Sequence, residues 1–137
     1  MGAFSDSIKK QVEQIKADID QQVQAIVQYY FRQIVYHSPT TFIGAVWAKR
    51  QFINSCYPAI NGFDTSTTST LSMDGVGSLS RISNLIASKA FYGKDATISL
   101  SNNLSYARQV EYQGWVRTGP YAPVDKAYYD VRTEYGK

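Results

Sequence analysis

Apolar residues recur at steps of three and four from Ile8 to Ile34 (Ile8, Val12, Ile15, Ile19, Val23, Ile26, Tyr30, Ile34), and neither Gly nor Pro interrupts Ser5 to His37. That spacing places them on one stripe of a long helix. Ser5 or Asp6 is the expected cap and Ser38-Pro39 the stop. At 1.5 Å per residue such a helix is a rod of about 45 Å, longer than a domain of this size needs for its own core. The half from Val23 onward is therefore read as core-facing, and part of the remainder as packing on neighbouring chains.

Beyond Pro39 the pattern changes. TTFIGAVWAKRQFINSCYPAI is rich in β-branched and aromatic residues and is stopped by Pro58 and Asn61-Gly62, which predicts one strand around Trp47 to Tyr57. Residues 61–76 hold a Ser/Thr run too polar for a core, and predict an exposed loop, hairpin or docking arm with Phe63, Leu71 and Met73 as apolar anchors. A second helix is predicted from Ser78 to Tyr92, capped by Ser78, with Leu79, Ile82, Leu85, Ile86 and Ala90 on one face. ATISLS alternates, so Ala96, Ile98 and Leu100 face one side of a half-buried strand and Thr97, Ser99 and Ser101 the other. Pro123 opens a terminal helix carrying Val124, Ala127, Tyr128, Val131 and Tyr135. The order predicts an α+β fold: a long N-terminal helix and two further helices on a small antiparallel sheet, in one domain spanning residues 1–137.

Composition adds a constraint on partners. The chain of 137 residues has 11 tyrosines but only 18% charged residues, a polar-aromatic surface suited to contact with other proteins. Neither a signal peptide nor a membrane span is read from the sequence, so the cytoplasm is the expected place of synthesis and folding. One cysteine, Cys56, and one histidine, His37, cannot build a zinc site, and Cys56 among apolar neighbours reads as a buried, inert thiol. No metal, cofactor or catalytic residue is expected.

The stretch SNNLSYARQVEYQGW, residues 101–115, follows the second strand. Asn102-Asn103 read as the turn leaving the sheet, and Leu104 to Tyr112 as two turns of helix with Leu104, Ala107 and Val110 or Glu111 turned inward. Glu111 has no histidine or second carboxylate nearby in sequence for acid–base work, so a hydrogen bond to backbone amides that fixes the corner is its expected role. Trp115 and Tyr121 flank a proline-bounded loop and are candidates for packing beneath it or for a subunit contact.

Asn102, then Tyr106-Ala107, then Glu111-Tyr112 and Gly114 resemble the hallmark N-x-x-P-Y-A-x-x-L-E-Y-G of the neck and minor-tail proteins of tailed bacteriophages. The likeness extends to a long first helix ending at Ser38-Pro39, a turn at Gly44 and a strand bearing Trp47. Ser105 replaces the motif's proline, Gln113 separates Tyr112 from Gly114, and the family's Asp-Thr-Gly after the first proline is here Thr40-Thr41-Phe42-Ile43-Gly44. The resemblance implies a structural virion protein of the neck, assembled in the bacterial host cytoplasm. Such a protein forms a ring, a hexamer as the first expectation and a dodecamer as the alternative, that ends the tail or joins it to the capsid. Its partners would be copies of itself, portal or adaptor proteins and tail-tube proteins, with DNA only as cargo and no membrane.

The rival is a nucleic-acid-binding module in which Tyr106, Tyr112 and Trp115 stack bases while Arg108 and Arg117 hold phosphates. A net charge of +3, with the last 43 residues balanced at five basic against five acidic, offers no concentrated basic groove. Gly75-Val76-Gly77 lacks the lysine and further glycines of a phosphate loop.

Overall fold

A computed structural model of the protein describes residues 2–38, 51–68, 75–88, 96–113 and 120–136. Among the described residues, three helices of 13 residues or more and a two-stranded ribbon appear in the order α1 (Ala3–His37), β1 (Cys56–Ile60), α2 (Val76–Ser88), β2 (Ile98–Asn102) and α3 (Pro123–Tyr135). This is the α+β arrangement that the sequence pattern predicts.

The 35 residues of α1 span about 52 Å. Gly2, without a side-chain cap, precedes the first turn, in place of the expected Ser5 or Asp6. The far end closes as the sequence suggests: the Ser38 amide donates to the Val35 carbonyl (3.1 Å) and its hydroxyl to that of Ile34 (2.8 Å). Only the last third of the rod is buried. Phe31, Ile34 and Val35 enter the core with Val27 and Tyr30 beside them, so core contact begins at Val27 rather than Val23. Phe4, Ile8, Val12, Ile15, Ile19 and Val23 stay exposed, between 38% and 79%.

The predicted strand from Trp47 to Tyr57 is corrected: residues 51–54 are helical and β1 begins only at Cys56. The reason is tertiary. Phe52 and Ile53 suit a strand as well as a helix, but Arg81 of α2 donates from Nε to the Cys56 carbonyl (3.2 Å) and from Nη2 to that of Asn54. Ser78 donates to the Ile53 carbonyl (2.7 Å) and accepts from the Cys56 amide (3.0 Å). Together these satisfy the carbonyls left open where a helical turn ends.

The same contacts move the start of α2. Ser78 is the third residue of the helix and fully buried, not its cap, and the helix opens after Gly75, whose carbonyl accepts from the Leu79 amide (3.0 Å). Gly75 has φ +70°, and a Cβ there would lie 2.9 Å from side-chain carbons of both Ile53 and Val35. Only glycine fits that backbone and that space. Ile82 and Ile86 face the core with Leu79 packed beside them; the expected continuation through Lys89 to Tyr92 lies outside the described residues.

β1 and β2 pair antiparallel, with Cys56 opposite Asn102 and Ile60 opposite Ile98. Ala96, Ile98 and Leu100 pack against the core as the alternation predicts. The main core lies between the end of α1, α2, the ribbon and α3, which contributes the fully buried Ala127. Tyr128, Val124 and Tyr135, expected on the same face of α3, remain 43% to 51% exposed. A second, smaller cluster joins Phe52 and Val110 with Leu104, Tyr106, Ala107 and Tyr121.

Candidate functional site

The stretch after β2 builds a corner that joins the ribbon to α3. Asn102, the last residue of β2, donates from its amide to the Phe52 carbonyl (3.0 Å), and its own side-chain oxygen accepts from the Leu104 amide (3.3 Å). One side chain thus ties the helical turn 51–54 to the strand end and starts the turn that follows. Residues 107–108 are helical and Gln109–Gln113 widen into a π-helical turn, which sets Val110 wholly inside against Phe52. The Val110 carbonyl accepts from two amides, Tyr121 (2.9 Å) and Ala122 (3.2 Å).

Ala122 precedes α3 in the left-handed region (φ 47°, ψ 54°) and has no side chain that could cap it. Glu111 supplies the cap from outside the helix: Oε1 accepts from the Val124 amide (2.8 Å) and Oε2 from the Asp125 amide (3.3 Å). A carboxylate at the first turn answers both the open N–H groups and the positive end of the helix dipole.

Beside the corner lies a cleft of about 230 Å³ whose walls include Ile34, Phe52, Cys56, Asn102, Arg108 and Glu111. The thiol in it is a poor nucleophile. Burial pushes Cys56 above the usual thiol range, partly offset by hydrogen bonds from Asn102 and Ser78 and by the Arg81 charge. Burial likewise raises Tyr106 to about 12. Its ring packs on Phe52 with centroids 6.3 Å apart, so it is part of the second cluster and not a free platform for a base.

Of the residues singled out in the sequence, Asn102, Tyr106, Ala107 and Glu111 meet in this corner, with Tyr112 on its outside at 72% exposure. Ser38 sits apart, buried at the end of α1. Tyr121, a candidate for packing beneath its loop or for a subunit contact, is partly buried against the Val110 cluster. Phe63 is 77% exposed, while Pro39, Gly44, Trp47, Leu71, Met73, Gly114 and Trp115 lie outside the described residues. The first half of the expected docking arm is tethered. Ser99 donates to the Gly62 carbonyl (2.6 Å), Asn103 to those of Asp64 (2.8 Å) and Ser66 (3.3 Å), and Gln51 to that of Thr68 (3.0 Å).

Two polar anchors escape a reading of the sequence. Arg81, with its guanidinium 3.8 Å over the Tyr57 ring, is the single charged residue of the 13 in α2, and that isolation is the available signal. His37 meets Asp130 at 2.6 Å and Gln33 meets the same oxygen at 3.0 Å, clamping α1 to α3. The lone histidine in the last turn of a helix gives no hint of a partner 93 residues away.

No known family profile, characterised protein or solved structure matches the chain. Among the described residues no cluster of His, Cys, Asp or Glu could hold a metal ion, and no helix is long and apolar enough to cross a membrane.

Proposed function

We propose that the protein is a structural subunit of the neck of a tailed bacteriophage, forming a ring that completes the tail or joins it to the capsid portal. The observation that carries this reading is the corner itself. The residues that bear the resemblance to neck proteins are spaced over ten positions of sequence, and their side chains act together as a joint. Asn102 locks the strand end, Tyr106 and Ala107 fill the space beneath, and Glu111 fixes the first turn of α3. A motif built of hydrogen bonds to backbone and of packing suits a scaffold that must hold its shape under assembly. Exposed Tyr36, Phe63, Tyr112 and Tyr129, each at 72% to 77%, give the surface aromatic contacts of the kind protein interfaces favour.

The test is position in the particle. In virions that carry this chain, an antibody or gold tag seen by negative stain is expected at the head–tail junction. A phage lacking the chain is expected to yield filled capsids without attached tails. Label elsewhere on the particle, or normal particles without the chain, would overturn the reading.

A further inference from the structure

The outer half of α1 carries an apolar stripe that the described residues leave exposed, and the stripe has an unusual regularity. Phe4, Ile15 and Ile26, Ile8, Ile19 and Tyr30, and Val12, Val23 and Ile34 form three series, each with steps of eleven residues. An eleven-residue repeat advances about 3.67 residues per turn, close to the natural helix, so the stripe runs almost parallel to the axis instead of winding round it. Phe4 to Val23 therefore offer one straight seam of about 30 Å on a helix whose residues 6–19 are all exposed.

The seam is complementary to itself when reversed. About a point between Glu13 and Gln14, Phe4 falls opposite Val23, Ile8 opposite Ile19 and Val12 opposite Ile15. Along one flank the charges read Lys9, Glu13, Lys16, Asp20, alternating in sign. In that register Lys9 of one copy lies between Lys16 and Asp20 of the other, and Glu13 is within reach of the other copy's Lys16. In such a pair each flank faces its own counterpart, whereas a parallel copy would bring this flank against the opposite one, with Gln11, Gln14, Asp18 and Gln22.

Length and shape agree. In the reversed register Gly2 of one copy lies beside Ala25 of the other, just short of Val27, where α1 begins to pack on its own core. The two free halves thus fill the interval between two folded bodies at opposite ends. A parallel copy would collide, because α3 and the core already occupy the space its own residues 27–38 would need. Two such strips with closed flanks bury on the order of 1,000 Å², the threshold of a specific interface.

We propose that residues 2–25 of α1 pair antiparallel with the same segment of a second copy of the protein. The pairing rests on α1 alone and is separate from the neck reading. A two-fold, head-to-head contact cannot repeat between neighbours in a ring whose subunits all face one way, so it joins free subunits or two rings back to back.

The full chain is weighed by sedimentation equilibrium across a wide range of concentration, and a dimer is expected. Replacing V12E and I15E together should abolish it while the near-ultraviolet spectrum of the folded body is retained, since both side chains are exposed. The K9E/K16E variant and the E13K/D20K variant should each associate at least about tenfold more weakly, and an equal mixture should recover a heterodimer. Mixed I8C and I19C variants should cross-link to each other. In this register two I8C sites sit about 16 Å apart, beyond disulfide reach. A monomer at every concentration, I8C homodimers, or no recovery on mixing the charge variants overturns the proposal. A ring mass without the mixed cross-link also overturns it, and leaves the neck reading standing.

Discussion

Glu111 does at a distance what a capping residue ordinarily does next door. Ala122 has no side chain to cap α3 and its carbonyl takes only the Lys126 amide, so the carboxylate thirteen residues upstream holds the amides of Val124 and Asp125. Glu111→Ala should cost about 1 to 2 kcal/mol in urea unfolding, and Glu111→Gln less, since it keeps one acceptor oxygen. Equal costs for the two would show that the one neutral acceptor left in Gln holds nothing, and a cost near zero for Gln would show that neither the charge nor the second bond contributes. Tyr106 sets a different dependence. Its folded-state value, pushed up to about 12 by burial, lies above the ordinary tyrosine value of 10.0, so the neutral phenol is favoured in the fold. That contribution is fully present below pH 10 and is lost as pH rises through about 12. Urea midpoints should fall across that window, and Tyr106→Phe should flatten the fall. An unchanged slope in the variant would assign the loss to other groups, with Tyr30, also raised by burial, the first to examine.

At the scale of elements, α1 and β2 were legible because each shows its period without competition: three-and-four steps over eight residues in one, strict alternation in the other. The corner was legible in part. Leu104, Ala107 and Val110 turn inward as their spacing predicts, but the widening to a π-helical turn leaves no mark in the residues. β1 was misplaced because Phe52 and Ile53 satisfy either period, and the decision belongs to Arg81 and Ser78, about 25 residues away. The start of α2 was misread for a related reason: a serine before an apolar run looks like a cap, whereas here it is a buried bridge between two elements. Gly75 is the sharper marker. Gly75→Ala should cost about 2 to 4 kcal/mol, combining left-handed backbone with overpacking against Ile53 and Val35. A change near zero would mean that the turn relaxes, and a shift in thermal melting reads it directly.

At the scale of the molecule the protein divides into a packed body and a free rod. No residue from Gly2 to Val23 is buried, so removing residues 2–22 should leave the body folded. In dilute solution, where the chain is single, its melting temperature should move by no more than about 3 °C, equivalent to about 0.5 kcal/mol. A larger loss by calorimetry would show that the rod supports the body. The contrast in exposure along one continuous stripe is also what a sequence cannot display, since the apolar spacing is the same on both sides of Val27.

The clamp between α1 and α3 has a consequence in time. Gln33 and His37 reach Asp130 across 97 and 93 residues, so the buried end of the first helix is completed only when a segment almost a hundred positions downstream is present. Closing a loop of that length costs on the order of 4 kcal/mol in chain entropy before any contact repays it. During translation at ordinary rates, Ile34 and Val35 would wait about 5 to 20 s for Ala127 to leave the ribosome. Over that interval the nascent chain shows its apolar stripe along its whole length, and whatever holds it then, a chaperone or another nascent copy, decides how much of the protein reaches its native shape.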